Sequence, residues 1–208
     1  MSDVAYFAIF GIQRTGTILL MGLLDSHPDV ICVGELFQNV STCVQHSIPR
    51  YRAWVDASWI RKALHRFGRD WLTRRYLASV LAQEGHQAVG FKIMMDQGKR
   101  NPAVLAYLVD NRFKVVHVVR RNVLKTHISR IRARQTGTYV STTSVDKVRI
   151  VLPLSGLTAE LDRISEENIE LEQTVKELGL EYITIDYHRL ARSPQLEAQE
   201  VFGFLGVD

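Results

Sequence analysis

Residues 5–37, AYFAIFGIQRTGTILLMGLLDSHPDVICVGELF, decide the fold of this chain. Ala5 to Phe10 is a short, almost wholly apolar run closed by Gly11, the pattern of a buried strand. The turn Gly11-Ile-Gln-Arg-Thr-Gly-Thr17 then leads into the apolar segment Ile18–Leu24, which reads as a helix. A strand, a glycine-bearing turn and a helix N-terminus in succession form an anion site. The first backbone N–H groups of a helix have no intrahelical acceptors, and its dipole favours negative charge at that end. Arg14, Thr15 and Thr17, with Gly16 between them, add a cation and two hydroxyls. The competing reading is an ordinary strand-to-helix turn.

The same turn limits the ligand. Gly11 and Gly16 have the spacing of the Walker A pattern, which would then need Lys at 17 and Ser or Thr at 18. This chain has Thr17 and Ile18. The lysine that reaches the outer phosphates and the hydroxyl that holds Mg²⁺ are both missing. A magnesium-dependent kinase is therefore disfavoured, and a phosphate ligand bound without metal is expected.

Further along, Val30–Val33 reads as a second strand with Glu35 just past its end, where α/β sheets hold ligands. A carboxylate there suits a general base for a hydroxyl proton; a surface or capping glutamate is the alternative. Gln87–Lys92 reads as another strand with Lys92 near its C-terminal end, either in the site or exposed at an edge. Phe113–Val119 is the clearest strand, and it delivers Arg120-Arg121-Asn122 into a helix with Leu124, Ile128 and Ile131 on one stripe. Asn122 suits the N-cap. Arg121 at the strand end and Ser129 two turns along the helix form a second phosphate grip, a guanidinium fork with a hydroxyl. Arg120 is placed to share that role. Glu181–Asp186 reads as the last strand. Strands alternating with helices imply a three-layer α/β/α fold with a mainly parallel central sheet, of the P-loop nucleotide-binding kind.

The remaining segments are more open. Trp54, Trp59, Ile60, Leu64, Phe67, Trp71 and Leu72 recur near helical spacing, with eight Lys/Arg between Arg50 and Arg75 against Asp56 and Asp70. This predicts two helices with basic outer faces and the three tryptophans in the core; a sugar platform is the alternative. The polar run Tyr139–Asp146 reads as a loop over the ligand or a connector. The stripe Leu157, Leu161, Ile164, Asn168, Leu171, Val175, Leu178 predicts a long helix on its own sheet, with a coiled-coil homodimer as the other option.

The totals fit one domain over residues 1–208 with a substantial core. Residues 1–150 hold 22 Lys/Arg against 10 Asp/Glu, whereas residues 151–208 hold 4 against 12. A basic N-terminal portion suits an anionic ligand. No nucleic-acid reader motif is present, so no nucleic-acid partner is expected. Without an apolar run of 18 residues or a signal-like start, the expectation is no membrane span and a cytoplasmic location. Cys32 and Cys43 are too few for a disulfide framework or zinc site.

Arg-Thr-Gly-Thr at 14–17, Asp25-Ser26-His27-Pro28 and Gly34-Glu35-Leu36-Phe37 together resemble the N-terminal part of a sulfotransferase, nearest the bacterial carbohydrate- and lipid-sulfating branch. The eight-residue spacing from Arg121 to Ser129 and the closing Tyr187…Pro194…Phe202-Gly-Phe-Leu-Gly-Val207 extend the resemblance along nearly the whole chain. It implies a sulfuryl donor, 3′-phosphoadenosine 5′-phosphosulfate (PAPS), and a hydroxyl acceptor on a carbohydrate or glycolipid, with no metal. On that reading Arg14, Thr15, Gly16 and Thr17 bind the 5′-phosphosulfate end, and Arg121 and Ser129 bind the 3′-phosphate. Glu35 is the base, and Lys92 faces the transferred group. Ile18, Val123 and the pair His188-Arg189 depart from the family pattern, and the chain ends where relatives continue into a basic segment. These departures leave a non-catalytic nucleotide-binding relative as the alternative.

Overall fold

In the computed structural model, residues 4–38, 48–137 and 151–207 are described. Five parallel strands form one sheet: β1 (Ala5–Gly11), β2 (Val30–Glu35), β3 (Ala88–Met94), β4 (Lys114–Val119) and β5 (Tyr182–Asp186), in the order β2-β3-β1-β4-β5. β1 lies at the centre because its apolar run is buried on both sides. Ala8 and Phe10 enter one core, while Phe7 and Ile9 enter the other. A strand with two buried faces reads as a continuous hydrophobic run, as this one does.

One face is covered by α1 (Thr17–Leu24) and α10 (Pro194–Leu205), with Leu20, Leu24, Val201 and Leu205 packed against Phe7 and Ile9. The other is covered by α2 (Tyr51–Asp56), α4 (Arg69–Leu81), α6 (Pro102–Asp110) and α8 (Leu157–Glu177). Ile164, Leu171 and Val175 of α8 are fully or almost fully buried in that core. The α8 stripe is thus spent on the chain's own sheet rather than on a coiled-coil seam. Pairing parallel strands requires crossovers; β1→β2 runs to one side of β1, and β3→β4 later passes over β1 to the other side. That arrangement opens a crevice at the C-terminal ends of β1 and its neighbours.

Several boundaries differ from expectation. Glu35 is the last residue of β2 rather than lying beyond it. A short helix not foreseen, α5 (Met95–Arg100), follows β3 directly. Residues 51–81 form three helices, with α3 (Trp59–Phe67) between α2 and α4, because Ser58 caps α3 and Gly68 separates α3 from α4. Two of the three tryptophans are not core, Trp59 being 79% exposed and Trp71 55%, whereas Trp54 is half-buried and packs against the core. The basic outer face expected of this region is present in Lys62 and Arg66, but on α3 the apolar residues are exposed beside it and Arg61 and His65 turn toward the protein. Arg61 lies 4.4 Å over the Trp54 ring, and the His65 ring is 5.8 Å from that of Tyr51.

Cys32 is wholly buried in β2, and burial pushes its thiol up to about 12, so it is inert. Cys43 and the segment Tyr139–Asp146 lie outside the described residues. Among the described residues, no helix is long and apolar enough to cross a membrane, and no group of His, Cys, Asp and Glu could hold a metal ion.

Candidate active site

The first half of the site is the loop between β1 and α1. Gly16 takes the N-cap position of α1 at φ 93°, a conformation that only glycine adopts without cost. A Cβ at Gly16 would also lie 2.3 Å from Cδ2 of Tyr187. Arg14 is left-handed too, at φ 72°, which is uncommon for a residue with a side chain and clusters at functional sites. No side chain caps α1, and its first turn carries no acidic residue. A helix N-terminus of this kind suits an anion.

The loop is fixed from the side of β4 and α7 (Val123–Thr136). Arg120 Nη1 donates to the Arg14 carbonyl at 3.1 Å, and its guanidinium lies 4.4 Å over the Tyr187 ring. Arg130, buried on α7, reaches the Gln13 carbonyl at 3.5 Å and pairs with Glu167 at 2.6 Å. Arg14 Nε donates to Ser129 Oγ at 3.0 Å, joining positions 115 residues apart. Burial holds Arg120 below its ordinary guanidinium value; repulsion from Arg14 and Arg132 adds to this, and Tyr187 opposes it. Such a cluster of cations at one loop suits an anionic ligand.

The predicted residues are not all arranged as expected. Ser129 is tied to Arg14 rather than to Arg121. Arg121 is 76% exposed at its side chain and pairs with Asp186 at 3.3 Å. Asp186 also caps the short helix α9 (Tyr187–Arg192) by accepting from His188 N at 2.7 Å. Thr15 is fully buried, and its hydroxyl donates to the Ile12 carbonyl at 2.9 Å, so in this rotamer its donor is already used. Thr17 is buried as well, beneath the loop.

The second half lies across β2 and β3. Cys32 pairs with Gly90 and Glu35 with Lys92, so the register shifts by one residue between them, and Gly34 absorbs the shift at φ 90°. Such a bulge re-aims the side chain that follows it. It brings Glu35 Oε2 to 2.5 Å from Lys92 Nζ. Its other oxygen accepts from Gln97 Nε2 at 2.6 Å, and Gln97 Oε1 in turn accepts from Met94 N at 3.2 Å. Lys92 is 4% exposed, which rules out the edge lysine. Gln97 also lines a pocket of about 170 Å³ with Phe37, Tyr51, Arg52, His65 and Arg69. Gln97 is thus the link between that pocket and the carboxylate.

Sequence reasoning missed Gln97 and Arg130, and it left Arg120 as an alternate. Arg120 was the most accessible of these, since it adjoins a residue already singled out. Gln97 sits on an unforeseen helix, 62 residues from the carboxylate it holds.

A glycine-bearing loop at the head of α1 and a carboxylate held by a lysine and a glutamine thus stand at the C-terminal ends of one parallel α/β sheet. The Sulfotransferase family model matches residues 7–208, and the chain belongs to the sulfotransferase family. It is 28% identical over 205 residues to nodulation protein H of Rhizobium meliloti (strain 1021), covering 96% of this chain and 76% of that protein. Nodulation protein H of Rhizobium tropici is 28% identical over 134 residues, or 64% of this chain and 48% of that one. Among solved structures, a sulfotransferase from Alicyclobacillus acidocaldarius superposes with a TM-score of 0.56 at 16% identity. That match covers all of this chain and 83% of the other, a likeness of fold.

Proposed function

We propose that this sulfotransferase takes its sulfuryl group from PAPS and passes it, without metal, to a hydroxyl of a carbohydrate or glycolipid. The observation that carries the reading is the Arg14–Ser129 hydrogen bond. It joins the 14–17 loop to the helix that bears the second phosphate grip, as a nucleotide phosphorylated at both ends requires. Use of this donor is general in the family. The resemblance to the carbohydrate- and lipid-sulfating branch supports the acceptor class.

The donor supplies an activated sulfur–oxygen bond, and the chain's residues do the rest. Loop N–H groups and Arg14 hold the 5′ end and take up the negative charge that grows on the leaving phosphate, the main catalytic contribution expected here. Ser129 and Arg121 select the 3′-phosphate. Glu35 accepts the proton of the attacking hydroxyl, with Lys92 and Gln97 fixing the carboxylate's orientation. The family resemblance supports a second role for Lys92, toward the transferred group. The intact Glu35–Lys92–Gln97 set favours turnover over a binding-only role despite Ile18 and His188-Arg189.

A thermal melt in EDTA tests the donor. Ligand at a hundredfold excess over Kd stabilises the native state by about 2.7 kcal/mol. Adenosine 3′,5′-bisphosphate should raise the melting temperature clearly, AMP only slightly, and ATP in no Mg²⁺-dependent way. A shift with magnesium ATP alone overturns the reading. Sulfuryl transfer to a panel of saccharide and glycolipid hydroxyls then tests the acceptor class.

A further inference from the structure

α3 is built inside out. Its apolar residues Trp59, Ile60, Ala63, Leu64 and Phe67 share one face at helical spacing, yet none of the helix is buried. Trp59 is 79% exposed, Ile60 52% and Phe67 92%. The polar side faces the protein instead, through Arg61 on Trp54 and His65 beside Tyr51. Lys62 and Arg66, both exposed, border the apolar face, and α3 contains no acidic residue. Four residues beyond Phe67, exposed Trp71 carries Arg75 at 5.6 Å from its ring.

We propose that α3, extended by Trp71, is an interfacial docking surface that seats the protein on an anionic lipid bilayer. A helix with aromatic residues on one side and Lys/Arg flanking them lies in the headgroup plane and buries its apolar face in the acyl boundary. The charges choose this occupant. A two-fold contact with a second copy would bring Lys62 and Arg66 of both helices close together, and the carboxylate that shares their cavity, Asp56, is already paired with Arg52 at 2.8 Å. An anionic headgroup layer satisfies both the cations and the apolar face. The placement is also apt for the reaction. His65 of α3 lines the same pocket as Gln97, so the bilayer-facing helix forms one wall of the pocket that reaches the residue holding Glu35. This link to a glycolipid acceptor rests on the proposed function; lipid binding itself does not.

The test is co-sedimentation of the whole chain with phosphatidylcholine vesicles, with and without phosphatidylglycerol, and needs neither donor nor acceptor. The protein should pellet with the anionic vesicles and far less with the neutral ones. Trp59→Ser with Phe67→Ser should reduce partitioning by at least about tenfold at unchanged melting temperature, because both side chains are exposed. Lys62→Gln and Arg66→Gln should each cost about fivefold and shrink the preference for anionic vesicles. Failure of the unmodified protein to pellet overturns the proposal and leaves the sulfotransferase reaction untouched. So does pelleting that ignores all four substitutions. A fall in melting temperature on the double substitution, without vesicle binding, would instead show a segment of this chain covering the face. A concentration-dependent dimer abolished by Phe67→Ser would assign the face to a second copy.

Discussion

The two halves of the site are held by different means. On the donor side, around β1, β4 and α7, arginines reach the loop's own carbonyls: Arg120 to Arg14 and Arg130 to Gln13. On the acceptor side, across β2 and β3, three side chains hold one another, Lys92 and Gln97 on the two oxygens of Glu35. A phosphate is gripped by backbone N–H groups, so the donor side must fix the chain itself. A proton is moved by one carboxylate, so the acceptor side must fix only a rotamer. Loss of one acceptor-side group should therefore strike turnover, and loss of one donor-side group should strike binding as well.

Glu35→Gln gives the largest effect and isolates the acceptor side. The amide keeps the shape but takes no proton, and turnover should fall by roughly 10²–10⁴-fold, the span for a positioned general base. The melt shift with adenosine 3′,5′-bisphosphate should be unchanged. Steady-state rates on any accepted hydroxyl compound check it, and an unaltered rate removes Glu35 from the chemistry.

Arg14→Ala comes next. Removing one donor aimed at developing charge costs about 10²–10³-fold in turnover. Because Arg14 also donates to Ser129, nucleotide binding should weaken in the same variant, unlike Glu35→Gln. If binding held while turnover fell, Arg14 would serve only the leaving group, and the contrast between the halves would narrow.

The donor side was the more legible in sequence, for a physical reason. A phosphate loop is a local object: its glycine, cation and helix start fall within seven residues, and the buried strand before it is one unbroken apolar run. Ser129 is singled out by its spacing from Arg121 along the helix that follows, but its contact in the structure is with Arg14, 115 residues away. The acceptor side is assembled from residues 57 and 62 positions apart through a bulge at Gly34, and no local pattern announces either. Glu35 and Lys92 were singled out singly, but their pairing was not, and Gln97 was invisible. Helix α3 was misread because periodicity reveals that a helix has an apolar face without saying which way that face turns.

Arg120 and Arg121 separate two roles within the donor side. Arg120→Ala removes the contact to the Arg14 carbonyl and should weaken the bisphosphate and AMP alike. Arg121→Ala should weaken only the bisphosphate, by about tenfold or more, the loss expected for one charge-assisted hydrogen bond of about 1.5–3 kcal/mol. To bind a 3′-phosphate Arg121 must leave Asp186, so Asp186→Asn should tighten the bisphosphate slightly. Equal losses for both ligands in Arg121→Ala would make that residue structural.

The smallest expected effect is on stability and concerns the sheet beneath the donor loop. His117 of β4 is 1% exposed; its Nε2 is buried without a hydrogen-bond partner, and its Nδ1 lies 3.5 Å from Thr184 Oγ1. Burial lowers its pKa below the ordinary histidine value; Arg121 and Lys176 add to this, and Glu172 opposes it. The sign follows from proton binding. Between the ordinary value of about 6.5 and the lower folded value, the unfolded chain holds the proton and the folded chain does not. Stability is therefore full above that window and declines as the pH falls through it, by at most about 1.4 kcal/mol per pH unit for one proton. Denaturant melts across this window should show the slope, and His117→Gln should flatten it. His65, on the acceptor side, is shifted in the same direction by burial and by Arg69 and Arg52, but it is far less enclosed. His65→Gln should change the slope less. If it removed the slope instead, the acid sensitivity would belong to the acceptor wall rather than to the floor of the donor site.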